Sequence, residues 1–531
     1  MPKFIVVTGG VLSGLGKGVT TASIGKILQS KGFSAIPIKI DGYVNTDAGT
    51  MNPFEHGEVF VTDDGGEIDL DIGHYERFMN ISLGKENNMT TGLVYGTVIE
   101  KERRGDYLGK TVQVIPHVTD EIKRRIKEVA KKSRADFILI EVGGTVGDLE
   151  NMVFIEALRE LKLEKPKDFL FVHTTLVPTI ISGEQKTKPT QHSVKELLSL
   201  GIQPDIIVCR GEKEIPKKLK IKIALFCSVP DDCVISNPNL KSLYEVPLKF
   251  EEQNLSMIIF RKLGLEPREE DLEDWKKLVA RAKEPKREAT IGVVGKYAHL
   301  VDSYLSIKEA LQHAGIKNDC RVNMLWIEAE DLEKNGAEAY LKDVDGVIVP
   351  GGFGSRGTEG KIAAIRYVRE NNVPFLGICY GLHMAVVEFA RNVCGMKGAN
   401  TTEANPKTKY PVIDLLPEQK KIRSKGGTMR LGAYPCVLKN GSLAERAYDA
   451  KKISERHRHR WELNNRFAKD LEKYGLMLSG INPETRLVEI IEYPKNRYFI
   501  ACQFHPEFKS RLDTPAPLFD GLIKASLDAT A

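Results

Sequence analysis

Apolar runs alternate with amphipathic stretches along two blocks of this chain, a pattern typical of α/β units built on parallel sheets. In the first block, the runs that predict buried strands are 4–8, 35–40, 136–142, 169–174 and 205–209. In the second block, they are 290–295, 322–327, 346–349, 375–378 and 498–503. A length of 531 residues allows two to four domains. The sequence therefore predicts an α/β protein with two parallel-sheet domains.

A charged segment separates the two blocks. Residues 267–288 are dense in Glu, Lys and Arg, and the only apolar stripe is Leu272, Trp275, Leu278 and Val279. This composition indicates a solvated linker helix. The predicted division is a first domain at 1–266, a linker at 267–288 and a second domain at 289–531.

Composition excludes several classes of protein. The net charge is +5, from 77 basic and 72 acidic residues, so no general affinity for nucleic acid is expected. The eight cysteines are scattered without a Cys-x-x-Cys pair, which indicates a reducing compartment and no structural zinc site. No apolar run approaches the roughly 20 residues that span a bilayer, and no signal peptide is apparent. We therefore expect a cytoplasmic protein with no membrane partner.

The second block contains the residues of a thiol nucleophile site. Cys379 ends an apolar run within a Gly-x-Cys-x-Gly turn, and the chain later reads Gln-Phe-His-Pro-Glu at 503–507. The two glycines allow a sharp turn from strand to helix, which presents the thiolate at the helix N-terminus. His505 can transfer the proton, and Glu507 can fix the imidazole tautomer. A buried structural cysteine is the alternative, and the glycines and the His-x-Glu sequence count against it.

The first block begins with a glycine-rich turn. After the strand at 4–8, the chain reads Thr-Gly-Gly-Val-Leu-Ser-Gly-Leu-Gly-Lys-Gly-Val-Thr, so that Lys17 stands at a helix start. Backbone N–H groups, the helix dipole and this lysine can hold nucleotide phosphates. The strict phosphate-loop pattern has Gly at position 11 and Ser or Thr at position 18, where this chain has Val11 and Gly18. The turn is therefore a variant phosphate loop.

Further polar residues of the first block fit the same site. Lys39 ends the second predicted strand, where the carboxyl ends of parallel strands open onto a ligand crevice. Asp69, Asp71 and Glu141 offer hard oxygen ligands for a phosphate-bound Mg²⁺. Lys186, Lys188 and Lys222 can bind a second triphosphate, although lysine pairs alone are mostly surface residues.

Taken together, these motifs closely resemble the CTP synthase family of glutamine-dependent amidoligases, which convert UTP to CTP. The resemblance covers nearly the whole chain, at 7–18, 56–61, 73–78, 104–109, 111–117, 141–148, 186–196, 350–354, 426–432, 455–460 and 503–507. It implies a P-loop-like, dethiobiotin-synthetase-like amidoligase domain at 1–266 and a class I glutaminase domain at 289–531.

The resemblance also implies roles in the first domain, where ATP would phosphorylate the uracil 4-oxygen before ammonia displaces phosphate at C4. The implied Mg²⁺ ligands are Asp71 and Glu141. The implied ATP-binding residues are Ser13, Gly14, Leu15, Gly16, Lys17, Gly18, Lys39 and Asp71. The implied residues for UTP, or for CTP as feedback inhibitor, are Ser13, Asp148, Glu150, Glu156, Lys186, Lys188, Gln191 and Lys222.

In the second domain, the resemblance implies that Cys379 forms a glutamyl thioester with His505 and Glu507 as partners. The implied binding residues for L-glutamine are Gly351, Gly352, Phe353, Glu403 and Arg460. Arg356 would belong to the region through which GTP activates the glutaminase. His56 and Val59 would belong to the passage for ammonia. The family is typically tetrameric, which implies a homotetramer.

Several positions depart from the family pattern. Tyr380, Leu382 and His383 replace the usual residues of the elbow, and His383 stands where the family has a glutamine of the substrate pocket. The other departures are Ala404, Trp461, Gly42 and Val153. We expect those at the elbow, at 404 and at 461 to affect glutamine use more than ligation.

Two alternative functions remain open at this point. A related amidoligase with the same domains would use another acceptor, such as a cobyrinate for diamide formation. A protein of a different class would be a weakly active assembly or filament protein that retains the fold, an idea motivated by the altered elbow.

Overall fold

The computed structural model describes residues 2–52, 56–296, 300–416, 419 and 427–529. The chain forms two compact units, of which the first contains Met1–Ala48 and Asp71–Lys283, and the second contains Gly49–Leu70 and Glu284–Ala531. Gly426, the first residue of the 426–432 motif, lies outside the described residues. No helix in the described parts of the chain is both long and apolar enough to cross a membrane.

The first unit is built on a seven-stranded sheet in which every pair of neighbours is parallel. Its strands, in chain order, are β1 Lys3–Gly9, β2 Ala35–Asp41, β5 Asn88–Thr90, β6 Phe137–Val142, β7 Phe169–Leu176, β8 Ile206–Gly211 and β9 Val234–Pro238. Their order across the sheet is β5-β2-β6-β1-β7-β8-β9. The central strands are almost continuously apolar because helices cover both faces of the sheet.

The helices of the first unit follow the strands. They are α1 Lys17–Ser30, α2 Asp71–Met79, α3 Thr91–Arg104, α4 Thr119–Ser133, α5 Met152–Glu164, α6 Lys188–Ser199, α7 Lys217–Cys227, α8 Val246–Glu251, α9 Leu255–Leu263 and α10 Glu273–Lys283. The last of these lies within the predicted linker. It buries Trp275 and Val279, and the Trp275 indole donates to the Tyr244 carbonyl at 2.8 Å. The apolar stripe therefore packs on the first unit rather than standing in solvent.

The second unit contains a nine-stranded sheet in the order β11-β10-β12-β13-β21-β20-β19-β16-β17. The pairs from β11 to β21 are parallel, and those from β21 to β17 are antiparallel. These strands are β10 Arg287–Gly295, β11 Cys320–Glu328, β12 Gly346–Val349, β13 Phe375–Ile378, β16 Arg430–Leu438, β17 Lys452–His459, β19 Met477–Ile481, β20 Val488–Glu492 and β21 Phe499–Cys502.

Helices flank this second sheet. They are α11 Leu305–Lys317, α12 Ala329–Asn335, α13 Glu338–Leu341, α14 Thr358–Glu370, α15 Tyr380–Asn392, α16 Leu443–Tyr448, α17 Ala468–Lys473 and α18 Pro517–Ala529. A small three-stranded sheet contains β14 Asn400–Thr401, β15 Pro411–Leu415 and β18 Trp461–Leu463. Two buried apolar clusters form the core of this unit.

Residues 49–70, which we call the strap, lie in the first half of the chain but pack within the second unit. The strap contains the antiparallel strands β3 Phe60–Val61 and β4 Glu67–Ile68. Arg456 of β17 holds it through an ion pair of 2.7 Å from Nε to Asp63 Oδ1 and a bond of 3.1 Å to the Val61 carbonyl. These polar contacts with β17 hold the strap, together with the packing of the buried Phe60 ring against Phe508.

The predicted fold class is confirmed. Each predicted strand is present: 346–349 and 375–378 have the predicted ends, and the ends of the others differ by at most three residues. The apolar runs did not predict the short edge strand β5 or the antiparallel strands β16, β17, β19 and β20. Of these, β16 alternates buried and partly exposed residues and β17 carries many charges, so neither has a continuous apolar signal.

Candidate active sites

The variant phosphate loop connects β1 to α1. Gly14 and Gly16 adopt φ values of 75° and 80°, in the left-handed region that favours glycine. Lys17 is buried, and its ammonium donates to the Gly144 carbonyl at 2.6 Å. Burial lowers the pKa of Lys17, although Glu141 opposes this shift. The loop thus presents backbone N–H groups and a buried cation at the start of a helix.

The structure supplies a reason for Gly18. A Cβ at this position would lie 2.2 Å from Asp71 Oδ1, so glycine allows the carboxylate to approach the helix. At position 11, by contrast, the β-branched Val11 adopts φ 80°, a conformation strained for such a residue. The two departures from the strict pattern therefore have different effects. Gly18 makes room for an acidic side chain, whereas Val11 strains the backbone.

Lys39, Asp71 and Glu141 meet at the carboxyl ends of the parallel strands. The Lys39 ammonium hydrogen-bonds Asp71 and lies 3.0 Å from Glu141 Oε1, while the Tyr75 hydroxyl donates to the other oxygen of Glu141. Burial opposes ionisation of Asp71, but Lys39 and His74 outweigh it and lower the pKa of Asp71 to about 2. Burial and Asp71 together raise the pKa of Glu141 to about 6.

These two carboxylates fit a magnesium ion that is held together with phosphates. Mg²⁺ is commonly bound by one or two carboxylates plus substrate phosphates and water. Among the described residues, no three His, Cys, Asp or Glu side chains form a ready metal site. Asp69, the third candidate ligand, belongs to the strap of residues 49–70.

Tyr75 and His173 are parts of this region that the sequence did not reveal. His173 is buried between Thr8 and Ser193, with Nδ1 2.9 Å from Thr8 Oγ1 and Nε2 2.7 Å from Ser193 Oγ. Burial lowers its pKa to about 3, so the ring is neutral. A Cβ at Gly10 would lie 1.7 Å from Ser193 Oγ, which accounts for the second glycine of the loop.

The predicted uridine nucleotide residues are mostly exposed. Lys186 pairs with Glu184 at 2.6 Å, and the Lys188 ammonium lies 5.8 Å from the centre of the Phe226 ring. Gln191 is buried and donates to Thr187 Oγ1 at 3.0 Å. Ser13, Asp148 and Lys222 are exposed. Lys188 and Lys222 are both exposed, so their ammonium groups are available to phosphates.

Glu150 and Glu156 line a separate apolar cavity of about 820 Å³ in the first unit. Val44, Val114, Ile115 and Leu149 also line it. Glu156 forms an ion pair of 2.6 Å with Arg159, which lowers the pKa of its carboxyl.

In the second unit, Cys379 stands at the strand-to-helix turn between β13 and α15. It adopts φ 50° and ψ −99°, a strained conformation for a residue with a side chain. A Cβ at Gly377 would lie 2.8 Å from Ala501 Cβ, and one at Gly381 would lie 2.0 Å from the Val349 carbonyl oxygen. Both glycines are therefore needed for the close approach of backbone that forms the elbow.

His505 and Glu507 lie beside this thiol. The His505 Nδ1 atom is 2.7 Å from Glu507 Oε1. Burial would lower the pKa of His505, but Glu507 and Cys379 outweigh burial and raise it to about 10. The imidazole is therefore cationic near neutral pH, between an acidic residue and the thiol. A thiol, a base and an orienting carboxylate are arranged as in nucleophilic acyl transfer.

A cavity of about 710 Å³ opens over the thiol. A Cβ at Gly351 would lie 2.9 Å from His505 Cε1 and 3.7 Å from Cys379 Cβ, so the glycine loop directly adjoins the catalytic groups. The sequence-predicted residues that line the cavity are Gly351, Gly352, Phe353, Cys379, Glu403, Arg460, His505, Glu507 and Val59. Trp461, one of the departures, lines it as well.

Glu403 and Arg460 are both restrained. Glu403 Oε1 accepts a bond of 2.7 Å from the Gly354 N–H, and burial raises the pKa of its carboxyl. The Arg460 guanidinium donates to Gln419 at 2.8 Å and to Thr428 at 2.9 Å. One carboxylate and one guanidinium facing the same cavity suit a ligand with an ammonium and a carboxylate.

Three other predicted residues lie away from this cavity lining, as far as the structure describes it. His56 is exposed on the strap, and Arg356 donates to the Lys296 carbonyl at 3.0 Å. His383 is buried, with Nε2 3.0 Å from Gln503 Oε1, and it is absent from the described lining.

The second unit has the site of a class I glutamine amidotransferase: a strained thiol elbow, a His–Glu pair and a glycine loop on one sheet. The first unit is a parallel-sheet unit with a phosphate loop. A family model described as the CTP synthase N-terminus matches residues 3–265, and one described as glutamine amidotransferase class-I matches residues 299–525. The chain belongs to the CTP synthase family.

Two CTP synthases of similar sequence agree with this membership. The chain is 58% identical over 529 residues to the CTP synthase of Pyrococcus abyssi, covering 99% of this chain and 98% of that protein. It is 57% identical over 538 residues to the CTP synthase of Symbiobacterium thermophilum, covering 100% and 99%. A solved glutaminase domain of the Trypanosoma brucei CTPS with bound acivicin is 36% identical, with a TM-score of 0.43, covering 45% of this chain and 94% of that one.

Proposed function

We propose that this protein aminates UTP to CTP with ATP, using ammonia that its own glutaminase unit releases from L-glutamine. The observation that carries the proposal is the convergence of Cys379, His505, Glu507 and the 351–353 loop on one cavity, in a chain of this family.

In the glutaminase unit, the Cys379 thiolate attacks the side-chain amide carbon of glutamine. Negative charge develops on the amide oxygen, and the backbone N–H groups of the 351–353 loop receive it. The His505 imidazolium then gives its proton to the leaving nitrogen, ammonia departs, and a glutamyl thioester remains. Water, deprotonated by His505, hydrolyses the thioester to glutamate and frees the thiol.

Substrate orientation in this unit is assigned to two charged residues. Arg460 would hold the α-carboxylate of glutamine, and Glu403 would hold its α-ammonium group. The cavity lining supports both assignments because it contains these two groups and Cys379.

In the ligase unit, Lys17 and Lys39 neutralise ATP phosphates at the start of α1, together with the loop residues 13–18. Asp71 and Glu141 would hold Mg²⁺, which neutralises charge on the phosphates during transfer. The uracil 4-oxygen attacks the γ-phosphorus and ADP leaves, so that O4 becomes a phosphate ester. Ammonia then adds at C4 and phosphate is expelled, because phosphate is a far better leaving group than oxide.

The UTP and CTP sites extend this proposal. Lys186, Lys188, Gln191 and Lys222 would bind the UTP triphosphate, and CTP would inhibit by sharing that site while its base lies near Asp148, Glu150 and Glu156. The cavity beside Glu150 and Glu156 supports the second part.

A homotetramer is part of the proposal. Ile181, Leu225 and Phe226 are exposed by 109%, 77% and 49% on the first unit, near the exposed lysines assigned to UTP. Several large apolar side chains exposed on one unit are typical of a subunit interface. The proposal has three further parts. GTP would activate the glutaminase through the region of Arg356, and ammonia would pass His56 and Val59. The protein would be located in the cytoplasm.

The test is an acceptor screen with ammonium chloride as nitrogen source, so that only the ligase unit is measured. UTP with magnesium-ATP should give CTP, ADP and phosphate in equal amounts. A cobyrinate or a diamine substrate should give no ATP-dependent product. ATP turnover with one of those acceptors and none with UTP would reassign the chain to a related amidoligase. No turnover with any acceptor would favour the assembly protein.

A further inference from the structure

The glycine loop that adjoins Cys379 is held in place by Glu403 and by further residues to which no role has been assigned. The Gly354 peptide is fixed at both ends. Its N–H donates to Glu403, and its carbonyl accepts a bond of 2.8 Å from the Tyr380 hydroxyl. That hydroxyl also lies 3.0 Å from Thr358 Oγ1, at the start of α14. Tyr380 therefore ties the end of the loop to two helices.

Lys361 of α14 lies directly behind the loop. Its side chain is 1% exposed, and a Cβ built on Gly352 would lie 3.4 Å from its Nζ atom. The ammonium lies 4.9 Å from the centre of the Tyr380 ring, over its face. Within the residues that the structure describes, this ammonium has neither a hydrogen bond nor an ion pair.

A buried ammonium without a carboxylate partner costs folding free energy. Neither packing nor a structural ion pair explains its presence, because a methionine would fill the same space without that cost. Its Nζ atom lies beside Gly352, in the loop where the mechanism places negative charge. Cys379 and Glu403 are among the charges that favour its protonated form.

We propose that Lys361 and Tyr380 are positioning residues of the glutaminase: the Tyr380 phenol fixes the Gly354 peptide, and the Lys361 ammonium places a buried positive charge behind the oxyanion-binding loop. This inference rests on the proposed glutamine hydrolysis. It also gives a role to Tyr380, a departure from the family pattern. Burial raises the pKa of Tyr380 to about 12, so its hydroxyl remains a donor throughout the working range.

The first variants are Tyr380→Phe and Lys361→Met, with Tyr498→Phe as matched control. The Tyr498 hydroxyl is also buried and donates to a backbone carbonyl, that of Leu518, at 2.7 Å, but it is absent from the described cavity lining. Removing one direct oxyanion donor typically lowers kcat by about 10²–10³-fold, and indirect groups should cost less. We expect kcat for glutamine hydrolysis to fall about 10-fold in Tyr380→Phe and about 30-fold in Lys361→Met, with KM within about threefold. Tyr498→Phe should leave kcat unchanged.

Two readouts separate a functional role from a structural one. Lys361→Met should raise the Tm while it lowers kcat, because the variant removes a buried unpaired charge. The pH profile provides the second. Burial and Lys296 lower the pKa of Lys361 to about 8, against the opposing effects of Cys379, Glu403 and Glu328. Hydrolysis should therefore decline above about pH 8 in the wild type, and Lys361→Arg should move that decline to higher pH.

Ammonia-dependent CTP formation is measured in every variant and should not change. Unchanged kcat in both Tyr380→Phe and Lys361→Met would overturn the inference, as would a lowered Tm with a proportional loss of both activities. Absence of CTP formation in the wild type would instead overturn the proposed function, so the two failures are distinguishable.

Discussion

Arg458 and Glu67 are 391 positions apart in the chain, and their side chains pair at 2.8 Å between Nε and Oε1. Arg458 also donates to the Gly49 carbonyl at 3.2 Å, and its guanidinium lies 5.5 Å from the centre of the Phe353 ring. A Cβ at Gly49 would lie 2.3 Å from Glu67 Oε2, so the close approach of the Gly49 backbone to the Glu67 carboxylate requires glycine. The strap is thereby fixed to the residue that borders the glycine loop.

Glu67→Gln should loosen the strap, because a neutral amide replaces the carboxylate of a largely buried ion pair. The expected loss is about 2 kcal/mol of local stability, the usual value for a hydrogen bond to a charged group. Hydrogen exchange of residues 60–68 should become faster, and kcat/KM for glutamine should fall about 10-fold. Glu86→Gln is the control, since Glu86 pairs with Lys132 at an exposed position. Unchanged exchange at 60–68 would contradict this account of the strap.

Glu507→Gln tests the orientation and charge of His505. Glu507 is the strongest of the groups that raise the pKa of His505 against burial, so its loss should lower that pKa. The test is made in the Lys361→Arg background, where Lys361 no longer sets the alkaline limb of glutamine hydrolysis. In that background the limb should move to lower pH, because the imidazolium loses its proton earlier. We expect kcat to fall by about 10³-fold or more, as when a triad carboxylate is replaced by its amide. A pH–rate profile with an unmoved alkaline limb would show that another group controls it.

Asp71→Asn should abolish CTP formation from glutamine and from ammonia alike. The substitution removes an oxygen ligand and the anion that pairs with Lys39, so phosphate binding loses both features. We expect a loss of about 10²-fold or more in ligation, with basal glutamine hydrolysis within about threefold of the wild type. Asp274→Asn is the control, because Asp274 pairs with Lys277 at an exposed position of the same unit. Equal losses of ligation in the two variants would contradict a specific role of Asp71 in the ligase site.

His383→Gln should alter glutamine kinetics little. Burial lowers the pKa of His383 to about 4, so the ring is neutral, and its Nε2 atom faces Gln503 rather than the described cavity lining. We expect changes of less than about threefold in kcat and KM, since the glutamine amide can keep a hydrogen bond to Gln503. Recovery of glutamine use by more than tenfold would instead show that His383 obstructs the substrate pocket.

Much of this architecture was predictable because it depends on local signals. The strands beside Cys379 and Lys17 are continuous apolar runs, and the glycines around both residues mark turns where a side chain cannot fit. Such signals require only a few neighbouring residues. The fold class and the family could therefore be inferred before any contact was known.

The remaining features depend on contacts between distant positions. No local pattern links Asp63 to Arg456, so the packing of the strap within the second unit could not be inferred. Lys361 lies in a polar stretch that predicts a solvated helix face, yet it is almost fully buried. Tyr75 was also missed, because a tyrosine in an amphipathic helix is usually part of the core.

The central claim is that one chain releases ammonia at Cys379 and consumes it in CTP synthesis. The most direct measurement is CTP formation from UTP and magnesium-ATP by the wild type and by Cys379→Ala, with either glutamine plus GTP or ammonium chloride. We predict that the wild type uses both nitrogen sources and that Cys379→Ala uses ammonium alone, at the wild-type rate. CTP formation from glutamine by Cys379→Ala, or none from either source by the wild type, would contradict the account.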